Sequence, residues 1–205
     1  MATGAAAGVS VFGEDKYGSS TETDKGRKMK KILIITGSPR KNGNSNTLVE
    51  HFIKGAEEQG HKVFRFDSAF KTVHPCIACN KCGMNGDCIF NDDFNYVREN
   101  IVDADMVVFA TPMYYFGVST QIKAVIDRFY SINGQIHVPK QAALIMTYAN
   151  TAEEEAQPIK SHYATLLNYL GWTSVGEIIA PGVWTEGSVK NTQYPKMAYE
   201  LGKSV

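Results

Sequence analysis

Apolar residues run along this chain in two rhythms. Short continuous runs at residues 32–35, 106–110 and 142–146 alternate with segments in which apolar positions recur every three or four residues. A continuous apolar run of this length predicts a strand buried on both faces, the signature of a parallel sheet covered by helices. Leu48, Phe52 and Ala56, with Val49 and Ile53 beside them, predict an amphipathic helix from residue 47 to about 59, stopped by Gly60. Phe94, Val97 and Ile101 predict a second helix, capped by Asn91 or Asp92. Ile122, Val125, Ile126 and Phe129 mark a third helix. Ile159, Tyr163, Leu166, Leu167 and Leu170, closed by Gly171, mark a fourth. Tyr194, Met197, Ala198 and Leu201, with Pro195 in the first turn, mark a short last one. With further strands at 61–67 and 173–179, five strands alternate with five helices and there is no internal repeat. This is an α/β doubly wound sheet, and right-handed crossovers leave few topologies open. The order 2-1-3-4-5 fits the count and places a ligand at the switch between strands one and three.

The loop after strand one suits that place. Residues 37–47 read Gly-Ser-Pro-Arg-Lys-Asn-Gly-Asn-Ser-Asn-Thr between a buried strand and a helix start. Free backbone N–H groups and the positive end of the helix dipole make such a turn an anion cradle. Ser38, Ser45 and Thr47 add hydroxyls, Asn44 and Asn46 amides, and Arg40 a charge. The alternative is a capped turn with no ligand. Gly43 is followed by Asn, so this is no Walker A loop, and two glycines do not make a Gly-x-Gly-x-x-Gly fingerprint. The expected ligand is therefore a mononucleotide-like phosphate. The loop after strand three, Thr-Pro-Met-Tyr-Tyr-Phe-Gly-Val-Ser at 111–119, carries three aromatics and a methionine where loops are mostly polar. Beside a phosphate loop, that composition suits a flat ring, though a patch covered by a neighbouring subunit would read the same way.

The 205 residues bound one domain, with 21 basic and 21 acidic residues giving zero formal charge. Neutrality argues against nucleic acid or an anionic membrane as main partner, and no apolar run approaches a membrane span. Four cysteines fall within thirteen residues, which reads as intracellular thiol, redox or metal chemistry in a cytoplasmic protein rather than as a disulfide framework. Residues 1–28 are rich in Gly, Ala, Ser and Thr without periodicity, and Met29 stands just before the first strand. The domain is expected at 29–205, after a disordered leader or cloning remnant.

Four motifs together resemble the NADPH-dependent FMN reductase family of flavodoxin-like proteins. They are Gly37-Ser-Pro-Arg with Asn44-Ser-Asn-Thr47, the Cys76-x-x-Cys79-x-x-Cys82 run with Asp92-Asp93, Thr111-Pro-Met-Tyr-Tyr-Phe-Gly117, and Lys123-x-x-Ile-Asp-Arg128. The similarity spans about residues 30–201. It implies bound FMN, NAD(P)H as hydride donor, and a homodimer or homotetramer with flavins near the interface. It implies that Ser38, Arg40, Asn44, Ser45, Asn46 and Thr47 hold the phosphate. Pro112, Met113, Tyr114, Tyr115, Phe116 and Gly117 would line the isoalloxazine, and Thr147, Tyr148 and Asn150 would reach its other side. The third loop lacks the glycines that relatives often carry there. No acid–base residue is expected, because the flavin carries the chemistry.

The cysteine spacing is Cys76-x2-Cys79-x2-Cys82-x5-Cys88, close to a ferredoxin run but with a longer last gap and no following proline. Within the same family, iron–sulfur flavoproteins bind a [4Fe-4S] cluster at a compact motif like this, and other members share much of the pattern without one. Cluster ligands, reduced structural thiols, a redox dithiol and zinc all stay open. Asp92 and Asp93 read as helix-start charges, Asp127 with Arg128 as a structural or interface pair, and Trp172 and Trp184 as core or subunit contacts. The chain is thus expected to pass hydride from NAD(P)H through flavin to a small acceptor such as flavin or quinone. The alternatives are an electron carrier serving protein partners, flavodoxin-like or with a cluster, and a flavin-binding sensor.

Overall fold

A computed structural model describes residues 28–205. The expected leader lies outside the described residues, apart from Lys28. Five parallel strands form the central sheet: β1 (Lys31–Thr36), β2 (Lys62–Asp67), β3 (Met106–Tyr114), β5 (Gln141–Thr147) and β6 (Thr173–Ala180), with β4 (Gly117–Val118) as a short antiparallel partner of β3. Their order is β2-β1-β3-β5-β6, the expected doubly wound topology. Successive side chains of a strand face opposite ways, and β1 feeds both layers. Ile32 and Ile34 pack with α1 (Asn44–Glu58) and α6 (Tyr194–Ser204), whereas Leu33 and Ile35 pack with α2 (Phe94–Ile101), α3 (Thr120–Arg128) and α5 (Gln157–Leu170). A single turn of helix, α4 (Asn133–Ile136), adds Ile136 to the second layer.

The two helices of the first layer touch backbone to backbone. A Cβ on Gly202 would stand 2.1 Å from the Phe52 carbonyl oxygen, and one on Gly55 would stand 2.2 Å from that of Tyr199. Neither helix could approach so closely with a larger residue at these two positions.

Two element boundaries differ from the periodicity. Helix α1 starts at Asn44, three residues before the expected start at residue 47, because Gly43 takes an extended N-cap conformation (φ −62°, ψ 158°). Asn44, Ser45 and Asn46 therefore belong to its first turn. Strand β3 continues through Thr111 and Pro112, which stay in register with Met146 and Thr147 of β5, to Tyr114. The expected aromatic loop is a tight hairpin, with Tyr114 paired to Gly117 and Met113 to Val118. Its tip residues Tyr115 and Phe116 have φ of 45° and 61°, the left-handed turn that twists compatibly with two strands. Methionine and aromatics suit a half-buried pleated surface better than a free loop.

Candidate functional site: a cleft at the strand ends and a thiol pocket

The C-terminal ends of β1, β3 and β5 are neighbours in the sheet, so the segments that follow them meet. Between them lies a cleft of about 240 Å³, whose floor is Ser38, Gly43 and Ser45 and whose flank is Pro112, Met113 and Tyr114. Thr147, Tyr148 and Ala149 close the end beyond β5, and Val183 with Trp184 forms the far wall. Arg40 is the only charged residue lining it; no His, Cys, Asp or Glu does so among the described residues.

The floor is locked before any ligand arrives. The Ser38 hydroxyl donates to the Arg40 carbonyl (3.2 Å) and accepts from the Arg40 N–H (3.3 Å). Asn46 donates to the carbonyls of Arg40 and Lys41. Asn44 donates to the carbonyls of Val183 and Thr185 and accepts from the Val189 N–H, which ties the far wall to the start of α1. Gly37 sits so close to α3 that a Cβ would lie 2.3 Å from Ser119 Oγ, and that hydroxyl donates to the Gly37 carbonyl at 2.7 Å.

Helix geometry leaves the N–H groups of Asn44, Ser45 and Asn46 without intrahelical acceptors, and the first such bond is Thr47 N–H to the Gly43 carbonyl. The Ser45 hydroxyl and the Asn46 side-chain oxygen are buried without partners. Gly43 leaves open the space that a Cβ would fill, 2.7 Å from Ser38 Oγ. A cationic side chain, unsatisfied N–H donors on a fifteen-residue helix and an orphan hydroxyl fit an anion of phosphate type.

The expected site residues divide in two. Ser38, Arg40, Asn44, Ser45, Pro112, Met113, Tyr114, Thr147 and Tyr148 line the cleft. Asn46 buttresses the floor from behind, and Thr47 turns its hydroxyl back to the Gly43 carbonyl. Tyr115 and Phe116 form the hairpin tip, with Tyr115 fully exposed, and Gly117 belongs to β4. Asn150 points away, donating to Glu155. Tyr148 is buried and donates to the Ala152 carbonyl. Burial pushes its phenol up from the ordinary value and nearby Glu153 and Glu155 add to the shift, so it stays a neutral donor. Sequence reasoning missed Val183, which has no signature of its own. Trp184, read from the sequence as a core or subunit contact, stands 75 % exposed at the cleft wall.

A second site lies beyond the other end of α3. Cys76, Cys79, Cys82 and Cys88 all line one small pocket, walled by Ile77, Ile89, Phe90 and Arg128. Cys76 and Cys79 are exposed and the other two are half-buried. Ala78, Asn80 and Met84 in this segment hold φ of 55°, 56° and 66°, a conformation that costs a non-glycine residue about 1–2 kcal/mol. Left-handed turns of this kind are one element of the backbone N–H concavities found at many iron–sulfur sites. No three Cys, His, Asp or Glu among the described residues converge on a single metal ion. A cluster spreads its four thiolates over the corners of a cube, and this donor set fits one. The free volume of this pocket is about 20 Å³, so a cluster would seat by spreading the exposed segment.

Beneath the pocket, Arg128 and Asp92 form an ion pair at 2.9 Å, their side chains 1 % and 4 % exposed. Asp127 instead pairs with Lys123 one turn earlier, so Arg128 reaches across to Asp92 rather than to its neighbour. Burial acts to raise the Asp92 carboxyl, but the Arg128 guanidinium and hydrogen bonds from His74 and Phe94 outweigh it and hold it below the usual carboxylate value. Asp93 is the simpler helix-start charge, accepting from the Thr72 N–H. Trp172 lies in the core and donates to the Ile136 carbonyl.

Comparison with known proteins places this geometry. An iron–sulfur flavoprotein of Archaeoglobus fulgidus is 29 % identical over 179 residues, covering 85 % of this chain and 78 % of its own. A putative NAD(P)H-dependent FMN-containing oxidoreductase of Bacillus subtilis, YwqN, is 25 % identical, covering 74 % of this chain and 85 % of its own. Among solved structures, an NAD(P)H:quinone oxidoreductase of Methanothermobacter marburgensis superimposes with a TM-score of 0.70 at 18 % identity, covering 86 % of this chain and 96 % of its own. Residues 30–184 match the family described as NADPH-dependent FMN reductase. The chain belongs to the NADPH-dependent FMN reductase family and is an FMN-dependent NAD(P)H oxidoreductase with a flavodoxin-like fold.

Proposed function

We propose that the cleft holds FMN with its phosphate on the Ser38–Ser45 floor and its ring between Met113–Tyr114 and Thr147–Ala149, and that electrons leave to a small acceptor of the quinone or flavin class. The observation that carries this reading is the convergence of an anion cradle and an apolar, aromatic slot in one cleft with a single cationic lining residue. Bound FMN would supply the hydride and electron chemistry. The chain's own part is to anchor, orient and shield. Free N–H groups of α1 and Arg40 hold the phosphate, the β3–β4 hairpin gives the ring a wall, and backbone groups after β5 meet its edge. Trp184 and the exposed Tyr114, Tyr115 and Phe116 ring the mouth with apolar surface. A patch of this kind suits cover by a second copy of the chain in a homodimer or homotetramer.

The second part of the proposal concerns the thiols. Cys76, Cys79, Cys82 and Cys88 hold a [4Fe-4S] cluster, and the strained segment around them is shaped by that task. Support comes from one pocket shared by all four thiols and from relatives named for an iron–sulfur centre. The small free volume of that pocket favours a second reading, a flavin reductase with reduced thiols.

Titration of the apoprotein tests the first part. FMN is expected to bind at least about a hundredfold more tightly than riboflavin, the value of two charge-assisted hydrogen bonds to the phosphate. Equal affinities would refute the cradle. Steady-state NADPH oxidation with menadione separates an enzyme from a carrier, since a carrier photoreduces but does not turn over.

A further inference from the structure

Arg128 is among the largest fully buried side chains, and a buried cation is a costly way to fill space. Its contacts explain what it does there. One terminal nitrogen donates to the His74 carbonyl (2.9 Å) and to Asp92, and the other to the Phe90 carbonyl (3.3 Å) and to Asp92. His74 and Phe90 are the residues that frame the cysteine segment on either side. Their rings also stack on each other, with centroids 4.7 Å apart and 11° between planes. Asp92 completes the closure by accepting from the His74 N–H at 2.9 Å and the Phe94 N–H at 3.2 Å. The guanidinium lies over the rings of Phe90 and Phe94, at 5.4 and 4.8 Å.

Four of the five guanidinium N–H donors are thereby used. The fifth, on Nε, is buried without a partner, in a residue that lines the thiol pocket. Helix α3 carries Arg128 at one end and follows directly on Ser119, whose hydroxyl holds the Gly37 carbonyl of the phosphate floor, at the other. One helix of about 13 Å thus touches the frame of both sites.

We propose that Arg128 is the positioning residue of the thiol pocket. It ties both ends of the cysteine segment to α3, so that the four cysteines stay gathered at one pocket while the exposed loop between them opens to admit a cluster. For what the pocket holds, this rests on the cluster reading above. Asp92 orients the guanidinium and balances its buried charge, and Nε–H is the donor left without a partner. A lysine cannot substitute, because a point charge with three donors cannot bridge two carbonyls and a carboxylate.

The test uses the full chain and the variants Arg128→Met, Arg128→Lys and Asp92→Asn. Three quantities are measured: FMN affinity, iron and sulfide retained after anaerobic loading with ferrous iron and sulfide, and the DTNB reaction rates of the metal-free thiols. FMN affinity is expected to stay within about twofold of wild type, as for a distant site. Retained iron falls to a small fraction in both Arg128 variants, and Lys does not rescue it. The slow thiols, Cys82 and Cys88, react about tenfold faster or more as the segment opens locally. Wild-type iron retention together with wild-type thiol rates would overturn the proposal. If wild type holds no iron but the thiol rates still diverge, the cluster reading fails and the clamp stands. If Arg128→Met loses FMN as well, it has misfolded, and the isosteric Asp92→Asn decides by the same thiol and iron readouts.

Discussion

Gly43→Ala isolates the phosphate cradle from everything else in the chain. Gly43 has an ordinary extended conformation, φ −62° and ψ 158°, so alanine costs nothing in backbone strain. The added Cβ would lie 2.7 Å from Ser38 Oγ, 3.1 Å from the Arg40 carbonyl oxygen and 3.2 Å from Arg40 Cβ. Rotating the Ser38 hydroxyl away would relieve the first contact but break both bonds that fix Arg40, and the second contact is with backbone. The floor must therefore shift, misaligning one charge-assisted hydrogen bond to the phosphate. Such a bond contributes about 1.5–3 kcal/mol, which converts to a 10- to 150-fold weaker FMN Kd, about tenfold per 1.4 kcal/mol. Stability should fall by less than about 1 kcal/mol, since no core contact changes. Fluorescence titration of the apoprotein with FMN and with riboflavin reads the outcome. The expected result is loss for FMN alone, so that the two affinities approach each other. Parallel weakening of both ligands, or no change for FMN, would refute the argument that this turn holds the phosphate.

Three further substitutions probe other parts of the account. Trp184→Ala removes a ring from the far wall and should weaken FMN and riboflavin alike by about two- to tenfold, the range of an aromatic contact, in the same titration. Gly202→Ala drives a Cβ into the Phe52 carbonyl and should cost about 1–3 kcal/mol, read as a lower urea midpoint with unchanged slope. The Asp92 carboxyl has a lowered value in the folded chain. Its contribution is therefore complete above the unfolded value of about 3.9 and is lost as pH falls through the lower folded value. Asp92→Asn leaves Arg128 buried and unpaired and should cost about 3–5 kcal/mol of stability at pH 7, read as a lower melting temperature. It should also flatten the fall of melting temperature below about pH 5; an unchanged acid profile would show that Asp92 does not govern it.

Periodicity recovered the sheet because β1, β3 and β5 are buried on both faces and read as unbroken apolar runs. It placed the start of α1 too late because Asn44, Ser45 and Asn46 are polar and helical at once, their side chains serving the turn before them. The same ambiguity hid the division of labour in the phosphate loop. Asn44 reads as a ligand residue yet spends its amide on Val183 and Thr185, some 140 positions away. The hairpin was masked by its own tip, since Tyr115 and Phe116 replace the Asn-Gly pair that normally announces such a turn. Arg128 and Asp92 stood in two recognisable motifs, but nothing in the spacing says that they pair across 36 residues beneath the cysteines. Long-range pairing of buried charges leaves no periodic trace.

On the proposal above, one chain carries two redox sites, a flavin cleft at the strand ends and a cluster pocket behind α3. The most direct test is a UV–visible spectrum of the anaerobically purified full chain, with flavin, iron and acid-labile sulfide counted on the same sample. The predicted result is about one FMN with about four irons and four sulfides per chain. A chain that takes up no FMN even when it is supplied in excess would contradict the cleft, and one that holds flavin but no iron would contradict the pocket.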